Sequence, residues 1–163
     1  MKEENKKGFT LLELLVVVVI IGILAAIALP QYRMIVLKSK FAKVKANVQA
    51  LVSSMQRYYL VNNVFPNNLS TLDIEVKSQG DEYYYTSGTG DIGGGIMRNK
   101  TIMLNYYIIL HGYSQNVKAN TYYCIAYDGF HEDIADMLIK ICQSETGKTE
   151  YSFKAYPYTW YAY

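Results

Sequence analysis

From Phe9 to Pro30 the chain reads FTLLELLVVVVIIGILAAIALP, where Glu13 is the one charged residue and almost every other position is apolar. At about 1.5 Å of rise per residue, some 21 residues of helix reach roughly 30 Å, the thickness of bilayer hydrocarbon. The run predicts a membrane-spanning helix. Beyond Pro30 the pattern turns periodic: Leu37, Phe41, Val44, Val48, Leu51, Met55 and Tyr58 recur at alternating spacings of four and three. That spacing draws one apolar stripe along a helix and predicts a packed face. Phe9 to about Asn62 is therefore expected as one helix, roughly 80 Å long at the same rise. A short coiled coil would show the same stripe but would want regular acidic partners. Packing across a sheet made by the rest of the chain is preferred.

Asn62 to Asn68 (NNVFPNN) reads as the helix end and a turn-rich connector. Strand-like runs rich in β-branched and aromatic residues follow at Glu82–Thr86, Thr101–Leu110, Thr121–Tyr127 and from Glu150 onward, with a helical segment at Glu132–Ile141. The expected fold class is α+β: a long amino-terminal helix whose first half spans a membrane and whose second half packs on an antiparallel sheet of about four strands.

Composition adds what the pattern omits. The 163 residues are 51% hydrophobic and 18% charged with a net charge of +2, averages that suit one ordinary core and exclude collagen-like, disordered and disulfide-dense classes. Those averages conceal zones. Residues 1–8 carry three lysines against Glu3 and Glu4; residues 31–62 carry Arg33, Lys38, Lys40, Lys43, Lys45 and Arg57 with no acid; residues 63–163 sum to −4. The basic stretch Arg33 to Lys45 admits three targets: anionic headgroups, nucleic acid, or acidic groups of neighbouring subunits. The acidic head makes the third the preferred one, and nucleic acid stays an open partner.

A secretory signal peptide has a short apolar region followed by a small-residue cleavage site. Here the apolar run is longer, and the small residue beside basic charge, Gly8, precedes it. The basic leader is expected to stay cytoplasmic, with the rest of the chain beyond the span outside.

Gly8-Phe9-Thr10-Leu11-Leu12-Glu13, followed by an apolar run with Gly22, Pro30 and Tyr32, resembles the amino-terminal signature of type IV pilins and of their relatives, the type II secretion pseudopilins. The resemblance covers about 25 residues. It implies a prepilin leader at 1–8, cleavage between Gly8 and Phe9 and N-methylation of Phe9 by a prepilin peptidase, a transmembrane or filament-core helix at 9–30, a stalk at 31–62 and a globular head at 63–163. It also implies polymerisation with copies of itself, driven by an inner-membrane assembly platform and ATPases, with the membrane as host before assembly. Localisation would pass from inner membrane to extracellular pilus.

Glu13 carries its own argument, because a carboxylate inside hydrocarbon costs a few kcal/mol or more without a partner. The family supplies one in the amino terminus of a neighbouring subunit, here Phe9; the alternative is a side chain that snorkels to the headgroups. Pro30 removes a donor to the carbonyl of Ala26 and Gly22 lowers helix stability, so a kink or weakened bonding is expected there. In related filaments this segment unwinds as subunits pack; tolerated helix breakers in a membrane helix are the other reading.

Cys124 and Cys142 form an even pair on the side of the membrane expected to be oxidising, and read as a disulfide. They also resemble the disulfide-bounded region of type IV pilins, which many pseudopilins lack. A structural zinc site would need further ligands at metal spacing, and the only histidines are His111 and His131. His131 with Glu132 and Asp136 reads better as a solvated helix start than as an acid–base cluster. Gly88-Thr89-Gly90-Asp91-Ile92-Gly93 has the glycine spacing of a dinucleotide loop, but a strand-like run follows it where that motif needs a helix, so a glycine-rich hairpin loop is expected. No cofactor, metal or catalytic set is expected. The 17 tyrosines read as half-buried strand and contact residues, with an aromatic stacking surface as the sharper alternative.

The expected function is a structural subunit of a type IV pilus, serving adhesion, motility or DNA uptake. A minor pilin or a pseudopilin of a secretion or competence system stands second. An unpolymerised binding protein anchored by one helix stands third.

Overall fold

The computed structural model describes residues 8–80, 82–86, 92–98, 103–110, 118–127, 132–155 and 158–163. Helix α1 (Leu11–Asn62) is followed by a single 3-10 turn (Leu69–Thr71), then β1 (Glu82–Thr86), β2 (Ile92–Arg98), β3 (Met103–Ile109), β4 (Thr121–Tyr127), α2 (Glu132–Thr146), β5 (Phe153–Ala155) and β6 (Tyr158–Ala162). By internal contacts the chain divides into two compact units, the first ending at Leu37 and the second running from Lys38 to Tyr163.

The architecture is α+β, and all strand pairings are antiparallel in the order β1-β2-β3-β4-β6-β5. Among the described residues six strands are present where the sequence runs marked about four. The run from Glu150 onward supplies two of them, β5 and β6. The other addition is β2, whose sequence is IGGGIMR. The expected glycine-rich loop is thereby corrected at its carboxyl side: Ile92 and Gly93 lie in a strand, and Gly88 to Asp91 lie outside the described residues.

The reason for the glycines is contact on both faces of β2. A Cβ on Gly95 would fall 2.8 Å from Val44 Cγ1 and 2.8 Å from Val48 Cγ2, and one on Gly93 would fall 2.8 Å from Met55 Sδ. On the opposite face, a Cβ on Gly94 would meet the Tyr85 ring at 2.5 Å. Glycine weakens a strand locally, but here it lets α1 approach the backbone of β2 and lets a tyrosine ring lie across it.

The predicted stripe on α1 is buried where it meets the sheet: Phe41, Val44, Val48, Leu51 and Met55 have no exposed surface. Burying each such side chain contributes roughly 1.5–3 kcal/mol. Phe41 meets the Tyr106 ring edge-on, with centroids 6.1 Å apart. Helix α1 ends because Asn63 takes a left-handed conformation (φ 57) and donates its N–H to the Tyr59 carbonyl at 2.8 Å. Helix α2 ends in the same way at Gly147 (φ 70), whose N–H reaches Gln143 at 2.9 Å.

Alternation along the strands assigns the two faces. The register Tyr84–Gly95–Tyr106–Cys124–Tyr161 runs across the sheet on the side of α1, and Cys124 is bonded there to Cys142 of α2. Both helices therefore cover one face. The other face carries a buried cluster of Tyr107, Tyr123 and Ile125, with Tyr158 and Trp160 packed against it.

Candidate functional site

The amino-terminal segment is built around a capping box. Thr10 is the residue before α1, and its carbonyl accepts the Leu14 N–H at 3.2 Å. Its hydroxyl oxygen accepts the Glu13 N–H at 3.2 Å, while its own backbone N–H and hydroxyl donate to Glu13 Oε2 at 2.8 and 2.7 Å. The Thr-x-x-Glu spacing ahead of an apolar run was readable in the sequence, yet only Glu13 was singled out there; Thr10 is the residue missed. Helix and carboxylate stabilise each other, because orphan N–H groups at a helix start favour a negative charge.

Gly8 and Phe9 precede the helix and are exposed, Phe9 by 76%. From Leu11 to Leu29 the large apolar side chains remain 44–81% exposed. Among the described residues α1 is the one helix long and apolar enough to cross a membrane. It runs through Gly22 and Pro30 without interruption, and a Cβ on Gly22 would meet nothing within 4 Å.

Two basic groups of the stretch Arg33 to Lys45, and Arg57 beyond it, find acidic partners within the chain. Lys43 pairs with Glu82 at 3.0 Å, Lys45 with Glu145 at 2.6 Å and Arg57 with Asp73 at 2.8 Å, all within the chain. The Arg57 guanidinium, assisted by the Ser54 hydroxyl, holds the Asp73 carboxyl down at about 2. Lys45 also lies over the Tyr163 ring, 4.8 Å from its centroid. Sequence position alone does not reveal these partners, which lie from 16 to 100 residues away.

Cys124 and Cys142 are joined by a disulfide that ties β4 to α2. Among the described residues no group of three or more His, Cys, Asp or Glu side chains is placed to hold a metal. His111 and His131 lie outside the described residues, and Asp136 is exposed on α2. Residues 1–7 of the leader lie outside them too.

Residues 5–29 match the family described as the prokaryotic N-terminal methylation motif. The chain is 36% identical over 77 residues to the type II secretion system core protein G of Pseudomonas aeruginosa, covering 47% of this chain and 54% of that protein. It is 34% identical over 74 residues to a fimbrial protein of Neisseria meningitidis, covering 45% and 44%. A type IV major pilin of Myxococcus xanthus is 44% identical over 55 residues, covering 34% and 25%. The chain thus spans about half or less of the length of these relatives. No solved structure matches. In its methylation motif, its long apolar helix and these matches, the chain is similar to type IV pilins and to a core protein of type II secretion.

Proposed function

We propose that this chain is the structural subunit of an extracellular type IV pilus. A prepilin peptidase removes residues 1–8 by cutting between Gly8 and Phe9 and methylates the new amino group of Phe9. The span at 9–30 first resides in the inner membrane, with the leader cytoplasmic and the head outside. An assembly platform and its ATPases then extract it into a filament of identical copies. The supporting observation is the apolar half of α1, whose large side chains stay 44–81% exposed in the isolated chain and which carries Glu13 as its one charge. Such a surface needs hydrocarbon before assembly and other copies of the same rod after it.

Glu13 is the steering group of this proposal. Its side-chain capping bonds both use Oε2, with the amide and hydroxyl of Thr10 as donors, so the cut before Phe9 leaves them intact. Oε1 takes no part in them and is the atom offered to the Phe9 amine of a neighbouring subunit. Gly22 and Pro30 mark the segment that loosens as the rods pack, since Pro30 leaves the Ala26 carbonyl without its usual donor.

A second reading, a minor pilin or pseudopilin in a secretion or competence system, is favoured by the identity to core protein G. The disulfide between Cys124 and Cys142 weighs towards the pilin, because it resembles the bounded surface region of that family. Mass analysis of the chain from cells with and without prepilin peptidase tests the processing step. The expected product begins at Phe9 with one added methyl group and vanishes when the peptidase is deleted. A chain that keeps residues 1–8 in normal cells would contradict it.

A further inference from the structure

The face of the sheet opposite the two helices holds a cavity of about 290 Å³ lined by Tyr85, Asn105, Tyr107, Tyr158 and Trp160 together with Ile92 and Ile125. It arises from the glycines of β2. Because Gly94 has no side chain, Tyr85 lies across β2 beside Tyr107, and the register carries the aromatic row on through Tyr107 and Tyr123 of β3 and β4. Trp160 of β6 stands at 86° to Tyr107, with centroids 5.5 Å apart. Two rings at a right angle form a corner with flat apolar walls.

One polar atom in this lining is left without a partner. Asn105 Oδ1 is buried and accepts no hydrogen bond from any described residue. A buried acceptor of this kind costs about 1–3 kcal/mol when left unsatisfied, so the cavity holds a fixed demand for an N–H or O–H donor. None of the lining side chains is charged. Burial pushes the Tyr85 phenol up to about 12 and raises that of Tyr107 as well, so both rings remain neutral around neutral pH.

These features select the ligand class. Nucleic acid requires cations beside its stacking platform, and none lines this cavity. A purely apolar occupant would leave Asn105 Oδ1 unsatisfied. The volume lies just below the roughly 300–1,000 Å³ of small-molecule sites, which excludes a large chain. What fits is a small neutral ring with an apolar C–H face for the aromatic walls and hydroxyl groups for the amide oxygen. We propose that this cavity is a carbohydrate-binding site for one pyranose ring, stacked in the Tyr107–Trp160 corner and donating a hydroxyl to Asn105 Oδ1. The proposal is independent of whether the filament is a pilus or a pseudopilus.

Trp160 is the one tryptophan in the chain, so its emission reports on the site directly. The full chain, held in a detergent without a sugar headgroup, is titrated with the methyl glycosides of glucose, galactose and N-acetylglucosamine. Saturation-transfer NMR on each glycoside serves as the second readout. At least one glycoside is expected to give a saturable response by both readouts. Asn105→Leu and Tyr158→Ala, each checked for its disulfide and circular dichroism, are expected to weaken it about tenfold, as for the loss of one hydrogen bond or one wall. No saturable response to any of the three would overturn the proposal. So would binding that is unchanged in Asn105→Leu, a preference for phenol or indole that survives that substitution, or displacement of the glycoside by an oligothymidylate.

Discussion

Thr10 closes on Glu13 with both of its donors, the hydroxyl at 2.7 Å and the backbone N–H at 2.8 Å from the same carboxylate oxygen. The only acid of the apolar run is therefore partnered within its own chain before any neighbour arrives. Glu13→Ala is expected to leave membrane insertion intact, since the hydrophobic length is unchanged, and to abolish filament assembly. Thr10→Val removes the hydroxyl but keeps the backbone donor, so assembly should fall without disappearing. Fractionation of membranes and of sheared filaments checks both; normal filament yield from Glu13→Ala would remove the role given to that carboxylate.

The bond between Cys124 and Cys142 closes a sequence separation of 18 residues and fixes α2 on β4. Its loss in the double Cys→Ala variant should lower stability by about 3 kcal/mol, from the freedom returned to the unfolded chain. Urea unfolding of the two proteins in the same detergent measures the difference. A change below about 0.5 kcal/mol, the range of an indifferent surface substitution, would show that the helix is held by packing alone.

Gly95 stands where a Cβ would press into Val44 and Val48 at 2.8 Å each. Both neighbours are β-branched and stiff, so Gly95→Ala is expected to destabilise the head by about 1–3 kcal/mol, the usual cost of overpacking. A substitution that leaves the unfolding midpoint unchanged would mean that α1 moves away from β2 at little cost.

Asp73 is held at about 2, chiefly by the Arg57 guanidinium and then by Ser54, against an ordinary value of 3.8. A carboxyl depressed in the folded state contributes stability that is fully present above its unfolded value and is lost as pH falls through the folded one. The stability advantage of the native chain over Asp73→Asn should therefore be constant above about pH 5 and shrink between about pH 4 and pH 2. Because the pair is exposed on both sides, the advantage is small and should weaken further in salt. An advantage that grows on acidification would have the wrong sign for this pair.

What the sequence disclosed and what it hid divide along physical lines. The stripe from Phe41 to Met55 was legible because a helix repeats its faces at fixed spacing, and all five residues are buried. Asn63 was legible as a stop because asparagine tolerates a left-handed backbone. Strand β2 was hidden because three consecutive glycines read locally as a loop, whereas their reason lies in side chains of α1, distant in sequence, and in a tyrosine ring on the far face. The partners of Lys43, Lys45 and Arg57 were hidden for the same reason, since pairing is decided by the fold and not by spacing. Thr10 was in plain view three residues before Glu13, and its capping geometry follows from local rules alone.

The central claim is that this chain, cut before Phe9, is the material of a surface filament. Filaments sheared from the cells that make this chain, purified and analysed by mass spectrometry, test it most directly. The account predicts that this chain is the dominant component and that its first residue is an N-methylated Phe9. Absence of the chain from those filaments, or its presence only as a trace beside another subunit, would contradict the major-subunit assignment and leave the minor pilin or pseudopilin in its place.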